Sequence, residues 1–194
     1  MLTQIAPVRL QSKDAQMSKS DQIEIPTMNR RIALAAIAAL PLTSSPAAAE
    51  DVVAALVQRA AAKNAVFMRG DMGRWLELTP MDQDFTLMPP FGGPASHGFD
   101  SSPKRLEEMS QFFRNGTTDL EVVATYASEA MVVLIMIERQ RAEVGALPEQ
   151  DWSLRVTEVY RKAGSEWKLA HRHADPLVRR IPLGTAAALA RGDA

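Results

Sequence analysis

The chain contains no cysteine. Disulfides, thiolate metal centres and cysteine nucleophiles are therefore excluded. An excess of one charge is also missing: 22 Lys+Arg stand against 23 Asp+Glu, a formal net charge of -1, so no broad field recruits nucleic acid or an anionic membrane. Histidine is rare, with three in the chain, and tyrosine rarer, with two. No apolar run reaches the ~20 residues of a membrane-spanning helix. There is no phosphate-binding glycine loop, no Ser/His/Asp motif and no H-E-x-x-H helix. What is present is a chain of 194 residues that is 46% hydrophobic, enough for the core of one domain.

Residues 28–49 have the layout of a bacterial-type signal peptide. Arg30 and Arg31 form a positive start, residues 32–42 are apolar, and Ala47-Ala48-Ala49 offers a small-residue cleavage site before Glu50. The paired arginines resemble a twin-arginine signal, although Ala33 and Ala35 stand where that signal usually has a large apolar residue and a lysine. Residues 1–27 are polar and without pattern. Translation from Met28 would make them a non-native or disordered extension. The folded part then covers residues 50–180, with an alanine-rich tail over residues 181–194. It is mildly acidic and periplasmic or secreted, with no membrane contact after cleavage.

Within that part, Val53, Leu56, Ala60 and Phe67 recur at helical spacing, and Gly70 is the expected stop. Asp71 opens a short second helix with Trp75 and Leu76. Residues 80–100 are rich in proline and glycine around one short strand, 85–88. Ser102-Pro103 starts a third helix as cap and first-turn proline, with Leu106, Met109 and Phe113 as its stripe and Gly116 as its end. Strands follow. Leu120, Val122, Ala124 and Tyr126 alternate, 130–137 is an apolar run, and 151–162 and 166–174 form a hairpin across Ala163-Gly164-Ser165. Helices first and strands after predict an α+β fold with an antiparallel sheet, one long helix lying across it.

The closing segment, with Thr157, Val159, Tyr160, Gly164, Trp167, Leu169, His171 and His173, resembles the last hairpin of the nuclear transport factor 2-like superfamily, including SnoaL-like proteins and the association domain of calmodulin-dependent kinases. Trp75 after the first helices fits as well. The resemblance spans roughly residues 50–178. It implies a cone-shaped, cystatin-like α+β fold, a curved sheet wrapped around a long N-terminal helix. It also implies a pocket at the mouth of the cone and dimerisation through the sheet. Some members isomerise, cyclise or dehydrate a substrate; others bind or act as scaffolds.

The candidate ligand-binding residues are Trp75, Arg155, Thr157, His171 and His173. His171, His173 and Asp175 alternate, so they share one strand face, and the same alternation carries Trp167 and Leu169 with them. A three-residue turn at 163–165 sets Arg155 opposite His173 and Thr157 opposite His171; a two-residue turn brings Leu154 and Val156 there instead. The first is favoured, because it gathers Arg155 and both histidines in one polar pocket suited to an anionic or small organic ligand. Trp75, Met81, Met88, Phe91 and Trp152 read first as packing. A metal site from His171, His173 and Asp175, with His97, is a further possibility, but no metal and no cofactor is assigned.

Two functions remain open. One is an exported, non-catalytic ligand-binding or scaffold protein that forms a homodimer. The other is a small acid/base enzyme (an isomerase, dehydratase or cyclase) in which His171 or His173 moves protons, Arg155 holds an anion and Asp82 or Asp84 is the base. On either reading the exported chain starts at Glu50. Intact-mass measurement on the cell's own protein checks this, and an uncleaved N-terminus would refute it.

Overall fold

A computed structural model of the chain describes residues 3–5 and 46–193. The fold is mixed α+β. A short strand β1 (Thr3–Ile5) precedes a long helix α1 (Pro46–Met68) and a short helix α2 (Met72–Leu78). Strands β2 (Met81–Met88) and β3 (Ser96–His97) follow, then helix α3 (Pro103–Phe112). Five strands come next: β4 (Phe113–Ala127), β5 (Met131–Val144), β6 (Leu147–Asp151), β7 (Leu154–Ala163) and β8 (Glu166–Pro176). Helix α4 (Leu183–Arg191) closes the described chain. Residues 28–45 of the expected signal peptide lie outside the described residues, and Pro46 to Ala49 form the first turn of α1. No helix among the described residues is long and apolar enough to cross a membrane.

The strands form one eight-stranded sheet in the order β1-β4-β5-β7-β8-β2-β3, with β6 paired to β5. β4, β5, β7 and β8 are antiparallel neighbours, as the strand-rich second half predicts. The departure is β2, which lies parallel to β8. α1 lies on the inner face, against β4 and β5. There Leu56 and Ala60 meet Val132, Leu134 and Met136 of β5, Val156 and Tyr160 of β7, and Leu169 and Ala174 of β8.

Local signals account for the helix ends. Asp71 caps α2 by accepting from the Arg74 amide, and Ser102 accepts from the Arg105 amide ahead of Pro103. Gly70 ends α1 in the left-handed region at φ 78°, and a Cβ there would lie 2.7 Å from the Ser110 carbonyl oxygen. Gly116 does not end α3, as the sequence suggests. α3 gives way to β4 at Phe113, and Gly116 lies inside the strand, where α1 needs room.

A Cβ on Gly116 would sit 2.7 Å from the Met68 carbonyl oxygen, 2.8 Å from Met68 Cβ and 3.0 Å from Ala142 Cβ. The last turn of α1 therefore presses on two small residues, and Met68, Phe113, Ala142 and Val144 form a second core cluster there. Gly116→Ala forces that turn off the sheet. Its expected cost is about 1–3 kcal/mol, read as a lower denaturation midpoint in urea at an unchanged slope.

Candidate functional site

A cavity of about 390 Å3 opens between α1, α2, α3 and the inner face of the sheet. Its walls are mostly apolar and aromatic. Phe67 and Trp75 lie 5.4 Å apart between ring centroids, Trp75 and Phe99 5.2 Å. On the far side Phe91 lies 5.4 Å from Trp152 and 5.8 Å from Phe112. Phe91 and Phe112 are exposed at 57% and 40% and form the rim.

The floor is charged. Arg172 of β8 donates two hydrogen bonds to the Glu138 carboxylate, at 2.9 and 2.7 Å, and one to Glu158 at 2.8 Å. Lys63 of α1 reaches the same Glu158 oxygen that Arg172 does, and the Tyr160 hydroxyl donates to the other at 2.7 Å. The Glu158 side chain is 0% exposed and that of Glu138 2%. Two cations and two anions thus cancel inside the sheet.

This arrangement fixes the protonation of its members. Burial alone would raise Glu158, but the adjacent Lys63 and Arg172 outweigh it and hold the carboxyl at about 2, below its ordinary 4.5. Burial would likewise discharge Arg172; Glu138 and Glu158 reverse that and keep it a firmer cation than usual. Burial and the Glu158 charge push the Tyr160 phenol well up, so it stays a donor. Burial pulls Lys63 downward against the attraction of Glu158. With three donors on it, the Glu158 carboxylate is ionised at neutral pH.

The strands place these groups by alternation. On β5 the inward positions are Val132, Leu134, Met136, Glu138, Gln140 and Ala142; on β7 they are Leu154, Val156, Glu158 and Tyr160. β8 changes phase midway. The turn leaves Gly164 and Ser165 between the paired Ala163 and Glu166, and a bulge then skips Ala170. Trp167 and Leu169 face inward before the bulge, and Arg172 and Ala174 after it.

The turn has two residues between its paired ends, not the three favoured from the sequence, and together with the bulge it replaces the expected register. Thr157 lies opposite His173, Val159 opposite His171 and Arg155 opposite Asp175. Thr157, Arg155, His171 and His173 do share a face, but it is the outer face, away from Trp167, Leu169 and the cavity. His171 Nδ1 lies 2.8 Å from Thr86 Oγ1. Arg155 reaches Asp175 at 3.6 Å, and His173 Nε2 lies 3.4 Å from its other oxygen. Among the described residues no group of three or more His, Asp or Glu is arranged to hold a metal ion. Asp82 and Asp84 pair with Arg161 and do not line the cavity. Of the five expected ligand residues, Trp75 alone lines it.

The residues that line its polar side are Lys63, Asn64, Glu138, Gln140 and Arg172. Sequence reasoning passed over them, yet a signal exists for all but Arg172: each of the others interrupts an apolar stripe at an inward position, whereas Arg172 turns inward only through the bulge. Lys63 follows Leu56 and Ala60 on the buried stripe of α1. Glu138 and Gln140 continue the inward series of β5. Asn64 donates to Thr118 Oγ1 at 2.8 Å.

No family model matches this chain, and no curated protein matches it in sequence. Solved structures do match it. A candidate dehydratase of the NTF2-like (nuclear transport factor 2-like) family from Streptomyces avermitilis is 19% identical, covering 67% of this chain and 98% of its own, with a TM-score of 0.51. A candidate scytalone dehydratase from Novosphingobium aromaticivorans is 13% identical, covering 68% and 97%, at 0.53. An NTF2-like protein of unknown function from Pseudomonas putida is 18% identical, covering 73% and 92%, at 0.51. The fold is the NTF2-like cone, as the closing hairpin suggests.

The charged floor carries a stability prediction. Glu158 has a lower pKa folded than unfolded, so its contribution is complete above pH 4.5 and is lost as pH falls from there toward about 2. Acid unfolding is expected across that window. Glu158→Gln leaves Lys63 without its counter-charge, at a cost of about 3–5 kcal/mol, and flattens the acid limb. Denaturant melts at neutral and acid pH measure both effects; a variant with the wild-type acid limb would contradict the assignment.

Proposed function

We propose that the protein binds a small, largely apolar organic molecule in the cone cavity without turning it over, and does so as an exported homodimer. The carrying observation is the aromatic-walled space of about 390 Å3 over a floor whose charges are already matched. A cavity of that size suits a small organic ligand. General acid/base catalysis needs a group that titrates near working pH and is free to exchange its proton with the substrate. Glu158 is held far below that range and accepts from Lys63, Arg172 and Tyr160, while Glu138 accepts from Arg172 twice.

Two fold neighbours are described as candidate dehydratases. Dehydration here would need a base, and the residues first considered for that role stand elsewhere. His171 and His173 are on the outer face, and Asp82 and Asp84 are tied to Arg161. Binding therefore accounts for the cavity better than turnover.

Dimerisation draws its support from the outer face. Val133, Ile135 and Ile137 of β5 and Val159 of β7 are adjacent there, each half-buried, while α1 occupies the opposite face. Aliphatic side chains in a row on the sheet face opposite α1 favour burial against a partner. Export draws on the pattern of residues 28–49.

Native mass spectrometry of protein purified from its own host is expected to give a two-chain assembly that retains a small organic adduct. A single-chain mass would remove the dimer from this reading. Protein without adduct, whose melting temperature is unmoved by a panel of aromatic small molecules, would remove ligand binding.

A further inference from the structure

The charged floor is paired within itself, but one polar side chain beside it has no partner among the described residues. Gln140 is 2% exposed and lines the cavity, and neither its amide nitrogen nor its amide oxygen has a hydrogen-bond partner among the described residues. Trp152 lines the same cavity, and its indole N–H is likewise buried without a partner. The two are neighbours, since the Trp152 amide donates to the Gln140 carbonyl oxygen at 2.8 Å. Gln140 lies two residues along β5 from Glu138 on the same inward face, about 7 Å away along the strand.

An unpaired buried amide is costly, because both its donor and its acceptor have lost water. A cavity that tolerates this on one wall is suited to a ligand that restores both bonds. We propose that the cavity selects an uncharged aromatic molecule ending in a carboxamide or lactam, paired head to head with the Gln140 amide. The Gln140 N–H donates to the ligand carbonyl, and the ligand N–H donates to Gln140 Oε1. The Trp152 indole N–H donates to the second lone pair of that carbonyl. The Trp152 donor selects the orientation of the Gln140 head that sets the ligand carbonyl on its side.

Charge balance on the floor disfavours an anionic ligand, and the other lining cation, Arg105, pairs with Glu108 at 3.4 Å. Arg172 and Lys63 are already committed to Glu138 and Glu158. A carboxylate entering the cavity would lose its hydration and find no free cation on the floor. The aromatic walls, with Phe67, Trp75 and Phe99 on one side and Phe91 and Trp152 on the other, suit a flat body.

This inference rests on the cavity being a ligand site, and its test separates the two. Naphthamide, naphthoate and methylnaphthalene have nearly the same shape and differ in the polar end. Their affinities for the full chain are measured by tryptophan fluorescence and calorimetry. Naphthamide is expected to bind about tenfold more tightly than either of the others, the value of one or two well-made hydrogen bonds. Gln140→Leu is expected to abolish that preference while methylnaphthalene binds at least as well as before. It also relieves the unpaired amide, so the ligand-free variant is expected to melt above the wild type. Trp152→Phe keeps an aromatic ring, loses the donor, and is expected to weaken naphthamide severalfold with methylnaphthalene unchanged.

If Gln140→Leu does not fold, the Trp152→Phe result decides. Equal binding of naphthamide and methylnaphthalene, the outcome if water alone satisfies Gln140, overturns the inference and leaves the cavity reading standing. Tightest binding of naphthoate also overturns it. If none of the three binds, the inference falls together with the cavity reading.

Discussion

The buried network of Lys63, Glu138, Glu158 and Arg172 ties α1, β5, β7 and β8 together at one point. Each charge alone would be intolerable in that interior, and each is made tolerable by the others. The pairing demands that α1 lie over the sheet at a set height, since Lys63 must reach a carboxylate on β7. It demands that β7 and β8 hold their relative register, since Arg172 must span carboxylates on β5 and β7. A wholly apolar core would be less particular. The hydrophobic clusters drive the collapse, whereas the charges favour one arrangement of helix against sheet.

The same network shapes the chemistry of the cavity. Its charges are matched among themselves, so it contributes polarity with no net charge. Each carboxylate faces a cation and each cation a carboxylate. Next to it stand two neutral groups, the Gln140 amide and the Trp152 indole, whose hydrogen-bonding capacity is unmet among the described residues. On the proposed reading, the floor holds the fold and these two groups choose what enters the cavity.

Much of the architecture could be read from the chain. The helical stripe of Leu56, Ala60 and Phe67, the caps at Asp71 and Ser102, and the closing hairpin each left a local signal, and the α+β order follows from them; the cone is what the resemblance of the hairpin implies. The site was less legible. His171 and His173 drew attention because histidine is scarce and reactive, and unbroken alternation carried them to the inner face with Trp167 and Leu169. A single skipped residue undoes that step, and a bulge at an alanine leaves no mark in composition. Lys63, Glu138, Gln140 and Glu158 were legible by another route. A polar residue at a position whose period says buried is seldom accidental, and these four sit on three elements at such positions. Their mutual pairing depends on distances between elements remote in sequence, which periodicity alone does not supply.

The bulge at Ala170 makes β8 two short strands in series, half a period out of step. The first presents its odd-numbered side chains to the interior, the second its even-numbered ones. Sliding that defect by a few positions would exchange which side chains line the cone and which lie on its outside, while the hydrogen-bonded ladder and the hairpin stayed in place. In a lineage built on this sheet, the contents of the pocket and the character of the exterior could therefore be traded by relocating one irregularity, with few changes of residue type. Two descendants would then share nearly every amino acid of this strand and differ in which face the residues between the two bulge positions present.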